Sequence, residues 1–278
     1  MQLKSYHKKT STLASAVIIS LAALASSSVH AADAVSFKPW VGSDNAVSLG
    51  ETITANENGL KSAYTGNPNL NFSAWAHTGD WFVFQNTNLA DVSVTVSGAA
   101  GFAPGLTVWA TGAAKFDGGT EGFASEISAA GFGTPHSLNA TGAIGDAGTL
   151  WMANGQGGNV VETLGYAVSG PAAFTAADTG WGETVFTGAH DVSLTNTFEN
   201  GVTGSTSANL ASLTFNDLAA GWYTVYVGGT NHASAGGAFA LTVSAVPEAE
   251  TWAMLLAGLG LVGWRLRRSS AESCEATA

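Results

Sequence analysis

The sequence predicts an all-β body closed by one short apolar helix near the C-terminus. Two observations carry the β assignment. Short runs alternate between apolar and polar side chains, as in Asp91-Val-Ser-Val-Thr-Val-Ser97, and Gly, Asn and Asp residues punctuate them. A third observation places the helix: the uncharged run from Thr251 to Trp264 is followed at once by Arg265, Arg267 and Arg268. No long amphipathic pattern competes with this reading.

The chain opens with a basic stretch (Lys4, Lys8, Lys9) and an apolar stretch from Leu13 to Ala25. Val29-His30-Ala31 follows as a small-x-small cleavage site, so residues 1–31 read as a secretory signal peptide cut after Ala31, or after Ala32. An uncleaved N-terminal anchor is the alternative, but the apolar stretch is short for a span. The exported part is then 32–245.

That part carries three lysines (Lys38, Lys61, Lys115) against sixteen carboxylates from Asp33 to Asp217, a net charge of −13. Nucleic-acid binding rests on neutralising phosphates, so a surface this acidic excludes it, and anionic lipid is repelled likewise. The one cysteine, Cys274, lies beyond the apolar run; no internal disulfide and no cysteine-type zinc site can form.

Along the body, Trp40 to Thr54 is a lead-in with an edge strand near Ala46 to Leu49, and Glu51 to Asn71 reads as polar and turn-rich. Asp80 to Gln85 reads as a buried strand. Asp91 to Ser97 places Val92, Val94 and Val96 on one face, and Leu106 to Ala110 follows the turn signal Ala103-Pro-Gly105. The stretch 111–209 is less regular. Its strand candidates are Thr149 to Met152, Val160 to Val168 and Glu183 to Thr187, with a loop near Asp178 to Trp181. Regularity returns with Ala211 to Phe215, a turn at Asn216-Asp217 and Gly221, and the strand Trp222 to Val227. A glycine-bracketed loop with His232 comes next, then Ala238 to Val243 with Phe239, Leu241 and Val243 on one face.

The order D-W-F-V-F-Q, V-S-V-T-V, L-T-V-W, then L-A-A-G-W-Y-T-V-Y-V and A-F-A-L-T-V resembles bacterial pre-peptidase C-terminal domains. The resemblance implies an antiparallel, jelly-roll-like β-sandwich in which 111–209 is a long insertion; two sandwiches meeting near Val168 to Phe174 are the alternative.

Catalytic patterns are missing. His77, His136, His190 and His232 form no H-E-x-x-H or H-x-H arrangement, and no Gly-x-Ser-x-Gly elbow occurs. His190 and Asp191 are neighbours, which on a strand point to opposite faces. No catalytic residue and no cofactor are therefore expected. Asp117, Glu121 and Glu126 offer oxygens suited to Ca²⁺ but lack the EF-hand spacing, and Asp117-Gly-Gly is equally a turn. Among the seven tryptophans of the body, Trp81, Trp109 and Trp222 fall in strand runs, whereas Trp75 and Trp181 fall on loops and are the candidate glycan contacts.

The C-terminal segment 246–268 has three parts: Val246-Pro247-Glu248, the apolar run, and the arginine cluster. Its apolar positions Leu255, Leu256, Leu259 and Leu261 lie between Trp252 and Trp264, the residues that membrane interfaces favour at each end. Residues 249–264 make about 24 Å of helix against roughly 30 Å of hydrocarbon. That predicts a marginal transmembrane helix, with Arg265, Arg267 and Arg268 as the basic stop and 269–278 as a cytoplasmic tail. The order resembles the PEP-CTERM sorting signal, although Ala249 stands where that signal most often has a second proline. The resemblance implies recognition by exosortase, a membrane protease-transpeptidase, export to the cell surface or extracellular matrix, and an exopolysaccharide and biofilm setting. The expected role is structural or adhesive and non-enzymatic. A carbohydrate-binding module is the second reading, and a secreted hydrolase the third.

Overall fold

The computed structural model describes residues 35–61, 72, 79–118, 140–141, 150–151, 159–171, 175, 184–185, 197–246 and 249–275. Its strands are β1 (Ala46–Val47), β2 (Thr52–Gly59), β3 (Gly79–Asn86), β4 (Ala90–Gly98), β5 (Pro104–Gly112), β6 (Ala140–Thr141), β7 (Leu150–Trp151), β8 (Glu162–Val168), β9 (Gly201–Ser207), β10 (Leu210–Leu218), β11 (Gly221–Gly229) and β12 (Gly237–Val246). One helix follows, α1 (Ala249–Glu275).

The long strands divide between two sheets, ordered β1-β3-β11-β5-β8 and β2-β12-β4-β10-β9, with β6 and β7 a separate pair. Pairing is antiparallel except for the short β1, which runs parallel to β3. Set aside the edge strands β1 and β9 and the two sheets are the four-stranded sets of a jelly roll, in which chain order zigzags between layers. The stretch 111–209 supplies β8 to one sheet and β9 to the other.

One core joins the layers. Val92, Val94, Val96, Leu213, Phe215, Leu241 and Val243 come down from one sheet, and Phe82, Phe84, Val108, Tyr223 and Val225 come up from the other. The alternation read from β4 and β12 is therefore the signature of a sheet with one wet face. The β3-β11-β5-β8 sheet behaves differently, because its second face is covered too. There Trp81, Trp109, Phe116, Val160 and Tyr226 form a second cluster, against which Val35, Phe37 and Trp222 pack. Trp81 stacks on Trp109 at 5.6 Å and meets Tyr226 edge-on at 5.0 Å. A strand buried on both faces has no reason to alternate, which explains the continuous run Trp81-Phe-Val-Phe84. Trp40 enters the main core and donates its indole N–H to the Val83 carbonyl at 2.8 Å.

Three local readings are corrected. Glu51 to Asn71 is not all turn: Thr52–Gly59 is β2, an edge strand whose inward Ile53 and Ala55 are buried and which pairs with β12 along its length. Gly201–Ser207 is β9, paired with β10, although Val202 is its only large apolar side chain. The chain does not turn at Asn216-Asp217 either. β10 continues to Leu218 through an irregular register, with Asp217 at φ 52°. Asp217 is held there by Asp91, whose Oδ1 accepts its N–H at 3.0 Å, and by Asn200, whose amide donates to its carboxylate at 2.7 Å.

Crossing from one sheet to the other after Leu218 is secured by a tyrosine corner. The Tyr223 hydroxyl donates to the Ala219 carbonyl at 2.7 Å, and the Asn86 amide donates to the carbonyls of Leu218 and Ala219.

The wet face of the β2-β12-β4-β10-β9 sheet is built of hydroxyls in register. One row runs straight across all five strands as Thr54, Thr242, Thr95, Ser212 and Ser205. The next row is Thr52, Ser244, Ser93, Thr214 and Thr203. Neighbouring hydroxyls bond to each other: Thr95 with Ser212 at 2.7 Å, Ser93 with Thr214 at 2.9 Å and Thr52 with Ser244 at 2.9 Å. These bonds tie two of the four strand interfaces, β4–β10 and β2–β12, together on the solvent side.

Candidate functional site: the C-terminal segment

β12 ends at Val246, half-exposed and paired with Asp91, and the next residue is proline. A residue before proline is held extended and proline itself has no N–H to give, so the strand has a reason to stop there. Pro247 and Glu248 lie outside the described residues. Helix α1 starts at Ala249 and runs for 27 residues, well past the expected end at Trp264. Arg265, Arg267 and Arg268 are part of it, as is most of the tail. Arginine, alanine and glutamate are good helix formers, and no glycine or proline follows Gly263 to stop the helix.

Every described side chain from Ala253 to Arg267 is exposed. Leu255, Leu256, Leu259, Leu261 and Trp264 are between 51% and 66% exposed, and Cβ atoms built on Gly258, Gly260 and Gly263 would meet nothing within 4 Å. The side chain of Trp252 lies outside the described residues. The helix therefore presents an apolar surface all round, followed by cations.

The transmembrane assignment is corrected on length. Among the described residues no helix is long and apolar enough to cross a membrane. The physical reason is the position of the arginines: they follow only fourteen residues from Thr251, where a span needs about 20. The extra helical turns beyond Trp264 are charged and polar, and add length without adding apolar surface.

Residues 245–269 match the PEP-CTERM protein-sorting motif. The chain carries a PEP-CTERM segment. Such a signal marks an exported protein, and exosortase, a membrane enzyme, processes it. No curated protein matches the chain. Two solved structures are similar at low identity. One is CorA, a surface-associated copper-binding protein important in copper acquisition in Methylomicrobium album BG8. It shows 12% identity and a TM-score of 0.36, covering 72% of this chain and 97% of that one. The other is the secreted protein MopE of Methylococcus capsulatus, in which an oxidized tryptophan facilitates copper binding. It also shows 12% identity and a TM-score of 0.36, covering 73% of this chain and 88% of that one.

The remaining sequence candidates are placed as follows. Val29, Ala31, Trp75, Trp181, Glu121 and Glu126 lie outside the described residues. Asp117 is described, and its backbone N–H is bound by the Asn159 side chain at 3.0 Å. Among the described residues no three His, Cys, Asp or Glu side chains come together. A charge cluster that sequence did not signal joins Lys38 to Glu57 at 3.1 Å and to Asp80 at 3.3 Å. The bond to Glu57, with Asp80 beside it, raises the lysine above its ordinary value. Burial raises Asp80 as well and outweighs the opposing pull of Lys38.

Sequence reading also named no residue on the wet face of the β2-β12-β4-β10-β9 sheet. There the structure forms a groove of about 430 Å³, floored by Ala238 and Ala240 of β12 and walled by Asn56 and Asn58 of β2 and Ser97 of β4. The Ser/Thr alternation in β4 and β12 is visible in the sequence. What brings it into rows is strand register, which no single stretch encodes.

Proposed function

We propose that this protein is a non-enzymatic component of the cell surface or extracellular matrix, structural or adhesive in role, in an exopolysaccharide and biofilm setting. The observation that carries the reading is the PEP-CTERM segment following directly on the last strand of a closed sandwich. Before processing, α1 lodges its apolar turns at the membrane surface, with the arginines at the lipid headgroups. The uncovered leucines support this, since an apolar surface of that extent in water is a docking surface. The body sits on the periplasmic side until exosortase removes the segment. A charge-poor, hydroxyl-rich body suits a matrix role.

Intact-mass analysis of protein recovered from the culture medium tests the reading. Loss of everything beyond about Pro247 to Glu250 is the expected result, together with retention of the precursor in cells lacking exosortase. Secreted protein that keeps its full sequence to Ala278 overturns it.

A further inference from the structure

We propose that the wet face of the β2-β12-β4-β10-β9 sheet binds a neutral polysaccharide chain, seated in the groove over Ala238 and Ala240 and continuing along the two hydroxyl rows. The groove and the rows are one surface. Asn56, Ala240 and Ser97 stand directly opposite one another across three strands, one step beyond the row that contains Thr54, Thr242 and Thr95. The two alanines lower the floor of this open groove between amide and hydroxyl walls.

The chemistry selects the ligand class. Each hydroxyl has one donor and two acceptor lone pairs, so a bonded pair such as Thr95 and Ser212 still offers one donor and three lone pairs to a third party. Both walls thus present donors and acceptors mixed at short intervals, as a polyol needs and a carboxylate or ammonium does not. Charge is balanced locally: Glu57, the one carboxylate lining the groove among the described residues, is engaged by Lys38 at 3.1 Å. Among the described residues no arginine or lysine lines the groove to hold an anionic polymer, and the acidic body repels one at a distance. The ligand is therefore uncharged.

Geometry separates a polymer chain from a flat crystal face. Strands lie about 4.8 Å apart and outward residues on one strand about 6.8 Å apart, so the rows form a regular grid. Adjacent strands are rotated by about 20–25°, which over five strands turns the outer rows by roughly 80–100°. A rigid lattice cannot follow that twist, whereas a flexible chain can. With hydrogen bonds as the source of affinity, binding is weak per sugar, additive along the polymer and insensitive to salt.

The inference rests on the proposed reading only for the presence of a polysaccharide at the cell surface, and the two fail separately. Sorting is read from the mass of secreted protein, whereas this binding is read on the purified chain. The experiment is native electrophoresis of the full-length protein in mild detergent, through gels containing dextran, hydroxyethylcellulose or galactomannan, with alginate as the anionic comparison. Retardation by at least one neutral polymer is expected, unchanged by added salt. It should weaken at least tenfold in Thr95→Val/Thr242→Val, which keeps side-chain shape and strand propensity. It should weaken equally in Ala240→Trp, which fills the groove from the solvent side. Melting temperatures identify a variant that fails to fold, and the other variant then decides. Mobility unaffected by all three neutral polymers overturns the proposal. So does retardation by alginate alone, or wild-type retardation in a folded variant. A dimer in sedimentation velocity that the variants split also overturns it, since a second copy would then cover the face.

Discussion

Replacing Tyr223 by phenylalanine isolates one hydrogen bond at the crossing between the two sheets. The ring is fully buried, stacked on Phe84 at 5.2 Å and edge-on to Phe198 at 6.4 Å, and phenylalanine keeps both contacts. Only the hydroxyl and its bond to the Ala219 carbonyl are lost. That carbonyl still accepts from the Asn86 amide at 3.1 Å, so no buried acceptor is orphaned and the cost is about 1 kcal/mol rather than the larger figure for an unsatisfied group. For a domain of this size that lowers the melting temperature by about 2–4 °C. The pH dependence is the sharper test. Burial, with Glu199 and Glu162 nearby, pushes the Tyr223 phenol well above its ordinary value. The folded protein therefore keeps a proton that the unfolded chain releases above about pH 10. Stability from this group is complete below that pH and is lost as the pH rises beyond it, at about 1.4 kcal/mol per unit. The advantage of the wild type over Tyr223→Phe should close within about one unit above pH 10 and then reverse. Urea denaturation followed by circular dichroism at pH 7, 10 and 11.5 measures this. A gap that stays constant to pH 11.5, or a cost above about 3 kcal/mol at pH 7, refutes the reasoning.

Three further outcomes rest on other contacts of the sandwich. In Gly229→Ala the new Cβ would meet the Leu60 carbonyl and lie 2.8 Å from the Lys61 Cα, both backbone, so a loss of about 1–3 kcal/mol is expected by denaturant titration. In Lys38→Met, Asp80 loses its cation while still partly buried. Asp80 is raised already, so the folded state binds its proton more tightly than the unfolded chain and is relieved of the burial penalty as pH falls. The variant should lose up to about 1 kcal/mol at pH 7 and less near pH 4, and an equal loss at both would show that Lys38 acts by packing alone. Melting the protein with EDTA and then with excess Ca²⁺ should leave the transition within about 1 °C, because no three His, Cys, Asp or Glu side chains that could hold a metal ion come together among the described residues; a clear rise with Ca²⁺ would locate a site outside them.

The strands legible in the sequence are those whose two faces differ. β4 and β12 bury Val92, Val94, Val96, Leu241 and Val243 and expose hydroxyls, so a period of two is written in the chain itself. β2 and β9 were illegible because an edge strand of Thr, Asn, Gly and Ser has almost nothing to bury. Their order comes from the partners β12 and β10, a long-range term that local pattern does not contain. The helix was legible at its start and in its apolar run. Its end was not, because a charged residue does not stop a helix: arginine only changes which surface the helix presents. The rows of hydroxyls show the same limit: each Ser and Thr is readable as outward, but their alignment over five strands is a property of register.

A sorting segment that is removed should contribute little to the core of what it delivers, and among the described residues α1 contributes nothing to it. Ala245 is the last inward side chain of β12 and is 1% exposed, with its N–H bonded to the Glu51 carbonyl at 3.1 Å. One residue later the strand is finished and its pairing with Asp91 is made. From Ala253 onward every described side chain of α1 points to solvent, so none of the 28 buried residues of the main core is contributed by the helix. Hydrophobic stabilisation scales with the apolar area withdrawn from water, and α1 withdraws little from the sandwich. The exposed leucines of α1 therefore belong to the sorting segment and not to the core of the sandwich. Both the core and the wet face are complete without them, so the address can be cut away without loosening either.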